Sequence, residues 1–212
     1  MVGSRRAAPG PRRAPRRIHL PLAGLRVGFL AQHEVEELHL WVPWYRLQEE
    51  GATCFVIGND EPKTYVGAHG LEVKVDEASW QADPDAAAGF VIPGGYASDY
   101  VRRTRDSLSL IRYGYHKGKV VAAIERGVWV LISAGIVEGR SMTGPDRLAV
   151  DLRNAGARVI DEDVVVDGNL ITARDTAALP GFCRVLVAAL AKVASEPPTH
   201  PRRARAGRGG TR

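Results

Sequence analysis

The sequence predicts a doubly wound α/β sandwich, a mostly parallel sheet with helices on both faces. Three observations carry that expectation. The runs Leu25-Arg-Val-Gly-Phe-Leu30, Phe90-Val-Ile92 and Val120-Val-Ala-Ala-Ile124 are short and apolar, as strands buried on both sides must be, whereas a half-exposed strand alternates polar and apolar residues. Helical periodicity follows these runs, and the alternation of buried strand with amphipathic helix is the pattern of a covered parallel sheet. With 212 residues, 45% of them hydrophobic, the chain suffices for one well-buried core and is short for two ordinary domains.

In chain order, the first strand is followed by residues 35–50, where Leu38, Trp41, Val42, Tyr45 and Leu47 recur at helical spacing before the helix stop at Gly51. Pro43 removes one helical hydrogen bond and predicts a kink. Residues 52–57 read as a strand, and residues 65–75, with Gly67 and Gly70, as an irregular or hairpin excursion. The strand ending at Ile92 is closed by Pro93-Gly94-Gly95, and residues 100–115 read as one helix with Leu108, Ile111 and Tyr115 on one side. After Ile124 a sharp break at Glu125-Arg126-Gly127 leads into a helix that stops at Gly135. Asp167-Gly168-Asn169 makes a hairpin turn between two short apolar runs, and a last helix covers about residues 177–194. The expected organisation is one domain over 24–194, with disordered basic tails at 1–23 and 195–212.

The net charge of +5 suggests nucleic acid until its location is considered. Eleven arginines crowd the two ends, against Glu196 as the acid there, so the middle is acidic to neutral. Tails of Arg, Pro, Gly and Ala bury too little surface to offset the entropy of ordering, and nucleic acid is not the expected partner. Residues 18–30 superficially resemble a twin-arginine signal, but Arg26 interrupts them and the segment is needed as a strand. No window is expected to cross a bilayer. Cys54 and Cys183 lie in apolar runs, as buried inert thiols of a reduced compartment do, so a cytoplasmic location is expected.

Ligands of open parallel sheets bind at the carboxyl ends of the strands. Three such ends stand out: the loop from Leu30 to Glu36, the Gly94-Gly95 turn, and the Glu125-Arg126-Gly127 turn. These segments, with Pro43-Trp-Tyr-Arg-Leu-Gln-Glu-Glu-Gly51, His69-Gly70, Val73-Lys-Val-Asp76, Ile92-Pro-Gly-Gly-Tyr96, Leu131-Ile-Ser-Ala-Gly-Ile136 and Val164-Val-Val-Asp-Gly-Asn169, resemble the PfpI branch of the DJ-1/PfpI superfamily over about residues 25–194. That resemblance implies a flavodoxin-like sandwich, related to class I glutamine amidotransferases, of a kind found in proteins named intracellular proteases, glyoxalases and deglycases.

The resemblance also locates a departure. In the family the turn after the equivalent of Ile124 reads Cys-His-Gly, and here it reads Glu125-Arg126-Gly127. A carboxylate does not reproduce the chemistry of a thiolate nucleophile, so thiol-dependent activity is not expected. Glu36 matches the acid that contacts the cysteine, and Gly94 and Gly95 match a turn whose amides bind an oxyanion. Asp99 falls where the family often places an acid reaching the neighbouring subunit, so an Asp99–Arg126 ion pair across a homodimer is expected. Glu36 and Glu125 would then face one another and share a proton, an acid and a base for a small organic metabolite. The alternative is a catalytically inactive pseudoenzyme that binds a ligand or partner.

Other candidates are weaker. His33 follows the first strand and is a candidate proton carrier, although an exposed loop histidine is the commoner case. Tyr96 and Trp44 are candidates for the cleft entrance, with core packing as an equal account of Trp44. His39 has no evident partner. The Gly94-Gly95 turn lacks a dinucleotide fingerprint and no ligand spacing matches a structural zinc or calcium site, so neither cofactor nor metal is expected.

Overall fold

A computed structural model describes residues 20–59 and 63–195. The basic ends, and with them the expectation that they are disordered, fall outside the described residues, apart from the short stretch from Leu20 onward. There Leu22 is fully buried and its N–H donates to Glu50 O at 2.9 Å, so the packed structure begins ahead of residue 24.

The elements are β1 (Arg26–Leu30), α1 (Glu37–Glu49), β2 (Thr53–Gly58), β3 (Thr64–Val66), β4 (Glu72–Lys74), β5 (Glu77–Ala78), β6 (Gly89–Ile92), α2 (Ala97–Val101), α3 (Arg105–His116), β7 (Val120–Ile124), α4 (Val128–Ala134), β8 (Ser141–Met142), α5 (Ala149–Asn154), β9 (Arg158–Val159), β10 (Val164–Asp167), β11 (Leu170–Ala173) and α6 (Leu179–Ser195). Seven strands form the main sheet in the order β10-β11-β7-β6-β1-β2-β5. All neighbours pair parallel except β10, which runs antiparallel to β11.

Each central strand sends alternate side chains to opposite faces, and two apolar layers result. Val27, Phe29, Val91, Ala122 and Ile171 pack beneath α1 and α6 through Leu40, Leu47, Phe182 and Leu186. Phe55, Ile57, Phe90, Ile92 and Val121 pack against α3 and α4 through Leu110, Ile111, Val128 and Leu131. The doubly wound sandwich expected from the sequence is therefore present.

The register sets the site. Phe29 pairs with Val91 and Ile92 with Ala123, so β1, β6 and β7, central in the sheet, end side by side at its carboxyl end. Their following loops, which start at Ala31, Pro93 and Glu125, leave from the same place.

Two expectations are corrected, and a stretch without an assignment gains one. The helix expected over 100–115 is two, because Thr104 is extended (φ −95°, ψ 115°) and separates α2 from α3. Residues 136–163, to which the sequence assigns nothing, hold α5 and the two-residue strands β8 and β9. Residues Thr176–Ser195 are long and apolar enough to cross a bilayer by length and composition, with mean hydropathy 1.6. In the fold the helix buries Leu179, Phe182, Cys183, Leu186 and Leu190 against the sheet and α1. Helix α1 continues through Pro43.

The excursion at 65–75 is a hairpin of β3 and β4, fastened to α1 by Glu37. That buried carboxylate accepts from His69 N–H at 2.7 Å, from His69 Nδ1 at 2.6 Å and from Leu71 N–H at 3.3 Å. Burial pushes the Glu37 carboxyl up, but its bonds from His69 and Leu71 outweigh burial and hold it below the ordinary value. Its contribution to stability is therefore full above the ordinary carboxylate range and fades as pH falls through the lowered value. Glu37→Leu leaves these donors without their acceptor, and unfolding measured near neutral pH is expected to show a loss of about 1–3 kcal/mol. The variant should also lose less stability on acidification than the parent.

Candidate active site

Strand β7 ends at Ile124 in extended conformation, and the next residue, Glu125, has φ 54°. A left-handed backbone costs a residue with a Cβ about 1–3 kcal/mol and persists where the surroundings enforce it. Glu125 to Gly127 form a single 3₁₀ turn that runs into α4. Gly127 makes the turn possible, since a Cβ there would collide with Ile92 O at the end of β6. The result is an elbow at the carboxyl end of the sheet with Glu125 largely buried, 8% exposed.

The Gly94-Gly95 turn is wedged between this elbow and the loop after β1. Val35 bridges to Gly95, and Glu36 N–H donates to Gly94 O at 3.2 Å. Gly95 has φ 84°, and a Cβ on it would stand 2.5 Å from Glu34 O and from Glu36 N. Gly95 N–H donates to Glu125 Oε2 at 3.1 Å. The amide expected to receive an oxyanion thus binds the chain's own carboxylate.

The other oxygen, Oε1, accepts a hydrogen bond from Arg147 Nη2 and lies 3.5 Å from Arg126 Nε. Arg126 rests over the Tyr96 ring at 4.1 Å and faces Trp129 at 5.8 Å. Glu36 caps α1, with Oε1 accepting from Leu38 N–H at 3.4 Å and lying 3.9 Å from His69 Nδ1. Each carboxylate therefore has hydrogen-bond partners of its own. Both are tied to one turn, Glu36 through its backbone and Glu125 through its side chain.

Two residues of the site escape the sequence reading. His39 is buried, with Nε2 2.9 Å from Thr176 Oγ1 and Nδ1 without a hydrogen-bond partner among the described residues. A Cβ on Gly94 would stand 2.5 Å from Glu125 Oε2 and 2.7 Å from His39 Nδ1, so only glycine lets these two groups flank the turn. Burial lowers the His39 pKa, against the pull of Glu36, Glu125 and Asp175, and favours a neutral ring. Its spacing of three from Glu36 on a helix was the available signal. Arg147 comes from a 3₁₀ turn before α5, in the stretch to which the sequence assigned nothing, and had no signal.

His33 and Tyr96 meet on the wall of a cavity of about 590 Å³, with Glu34, Val66, Gly67 and Ala68. His33 Nδ1 accepts from Val66 N–H at 3.2 Å and its ring meets Tyr65 edge-on. Trp44 packs on Phe29 in the core and does not line that cavity. Asp99 pairs within its own segment, 4.0 Å from Arg102 Nε and 3.6 Å from Arg103 Nη2. The fold also brings ligand atoms of Glu36, Glu37 and His69 within 4.8 Å of one another, a grouping that linear spacing conceals. Of these, Glu37 and His69 are already bonded to each other.

Fold and site together define an elbow-type α/β sandwich, in which one strand-to-helix turn presents a single side chain at the carboxyl end of a parallel sheet. The chain belongs to the DJ-1/PfpI family, whose sequence pattern matches residues 25–189. It is 38% identical over 163 residues to the deglycase PH1704 of Pyrococcus horikoshii and 37% identical over 163 residues to the deglycase PfpI of Pyrococcus furiosus. Each match covers 77% of this chain and 98% of the relative. A two-domain protein of Anabaena variabilis with DJ-1/ThiJ/PfpI-like and ferritin-like domains superposes with TM-score 0.76 at 33% identity, covering 78% of this chain and 49% of that one. Drosophila melanogaster DJ-1beta shares the fold, with TM-score 0.73 at 23% identity over 81% of this chain and 96% of that one.

Both cysteines are buried, Cys54 in β2 and Cys183 in α6. Burial pushes Cys54 up to about 12 and Cys183 up to about 11, the latter against the pull of Arg46. Iodoacetamide attacks the thiolate, so the native chain near neutral pH is expected to stay unlabelled by mass spectrometry, whereas the chain in guanidinium chloride labels at both residues. Rapid labelling of the native chain would contradict this.

Proposed function

We propose that this chain is an enzyme that acts on a small organic molecule by acid–base chemistry without a thiol, with Glu125 as the catalytic carboxylate and Glu36 as its partner. The elbow carries the reading. A buried carboxylate sits on a left-handed turn that a glycine would occupy without strain, and an amide and two arginines hold its charge in position. Strain kept at such a position is characteristic of functional sites.

In this reading Glu125 accepts a proton from the substrate and Glu36 returns one, which suits a hydration, dehydration, isomerisation, ring opening or ring closing step. No covalent thioester or hemithioacetal forms. His33 and Tyr96 contribute the wall of the substrate cavity, and Arg126 and Gly127 hold the elbow. Neither a cofactor nor a metal takes part. Two relatives are named deglycases, and the resemblance places a cysteine at their elbow, so we infer that this chain's reaction differs from theirs.

A second reading has its own observation. Because Gly95 N–H and Arg147 are bonded to Glu125 itself, the same geometry suits a binding protein that performs no turnover. We further infer a homodimer with Asp99 near its interface, supported by the exposed Tyr96 and Tyr100 beside it. Light scattering at micromolar concentration is expected to give twice the chain mass, and a monomer would contradict it.

Once a substrate is in hand, Glu125→Gln and Glu36→Gln are each expected to reduce turnover by about a hundredfold or more, the scale of a lost general acid or base. Near-parental rates in both would remove the mechanism. Unchanged ligand affinity and unchanged complementation by Glu125→Gln would favour the binding protein.

A further inference from the structure

Two guanidiniums at the elbow compete for one carboxylate, since Arg126 and Arg147 share Glu125 as their ion-pair partner among the described residues. We infer that the ligand of this site brings a second anion, a carboxylate or a phosphate, and that Arg147 receives it by letting go of Glu125. The inference rests on the reading of the elbow as the ligand site and adds the ligand's chemical class.

The two arginines differ in how firmly they are held. Arg126 lies over Tyr96, faces Trp129, and has a side chain only 20% exposed. Arg147 has a side chain 58% exposed, and its hydrogen bond to Glu125 Oε1 is the contact that places it. Arg147 is thus the easier of the two to exchange, and Gly95 N–H and Arg126 stay with the buried carboxylate when it leaves. A guanidinium fork suits carboxylate and phosphate alike because it donates two parallel hydrogen bonds.

Position favours the same ligand. Tyr96 carries Arg126 on its ring and also lines the cavity, so one ring joins the space a substrate would fill to Arg126, which shares Glu125 with Arg147. Glu34 lies on the same wall and repels an anion, which directs the ligand's charged end toward the arginines and its neutral end toward His33 and Glu34. Departure of Arg147 frees Glu125 Oε1 for the reacting atoms, while Gly95 N–H retains Oε2. Recognition of the anion and release of the base are then one event, and a ligand lacking the anion leaves the carboxylate occupied.

The test uses the full chain, with succinate and inorganic phosphate as probes at constant ionic strength and chloride as the reference, followed by NMR of the arginine side-chain Nε–H groups. The parent is expected to bind one or both probes weakly. Glu125→Gln, which removes the competing carboxylate, should bind about tenfold more tightly, and Arg147→Gln about tenfold more weakly, the scale of a charged hydrogen bond. Arg147→Lys keeps the charge but loses the fork and should fall between. Parental affinity in Arg147→Gln would overturn the inference, as would unchanged or weaker binding in Glu125→Gln. If Glu125→Gln does not fold, the two Arg147 variants decide alone. Tighter anion binding by Glu125→Gln in a chain without turnover would support this inference while removing the acid–base reading. Turnover of a neutral substrate, unchanged in Arg147→Gln, would do the reverse.

Discussion

The space at Gly94 and Gly95 is the constraint on which the site depends. The turn lies where the loop after β1 and the elbow after β7 both press against the end of β6, and neither position has room for a side chain. Filling Gly94 would push Glu125 away from His39, and filling Gly95 would break the backbone pairing that places Glu36. Because both neighbours are anchored in a close-packed parallel sheet, the displacement could not be absorbed locally. Two missing side chains thus define where the polar groups stand.

Much of the fold was legible in the sequence because strands buried on both faces have to be continuously apolar, as β6 and β7 are and as β1 is after its first residue, Arg26. The break at Thr104 was hidden since the apolar spacing of α3 runs smoothly backward into α2, while the extended backbone between them is set by packing. Strands as short as β8 and β9 carry no periodicity. In the site, Glu125, Gly94 and Gly95 could be found because strand ends and glycine turns mark the end of the sheet where ligands bind. Arg147 could not, as it reaches Glu125 from a turn 22 residues away and nothing in its local sequence sets it apart from other surface arginines. His39 was legible only through its helical spacing of three from Glu36, which says nothing of Glu125 on the far side of the turn. The partners of Glu36 and Glu125 were out of view, because only the two acids stand out in the sequence. The structure supplies an amide and two cations around one of them, and a helix N-terminus for the other.

Family and site carry different information here. The scaffold is that of the DJ-1/PfpI family along nearly all the described residues, yet function belongs to a site grafted on a fold rather than to the fold. At this elbow the polar groups surround a carboxylate. Gly95 N–H, Arg126 and Arg147 are all donors directed at a carboxylate, a set better matched to two oxygen atoms than to one sulfur.

The identity of the elbow residue has a consequence in redox chemistry. A cysteine thiolate can pass to sulfenic, sulfinic and sulfonic acid, changing its charge and size with the oxidant supply. Glu125 has no such ladder. Its backbone is strained and its neighbours are arginines, but none of these groups takes part in peroxide chemistry. The chain's two thiols, Cys54 and Cys183, are buried in the layer beneath α1 and α6. The elbow residue therefore keeps one chemical identity under oxidising and reducing conditions alike.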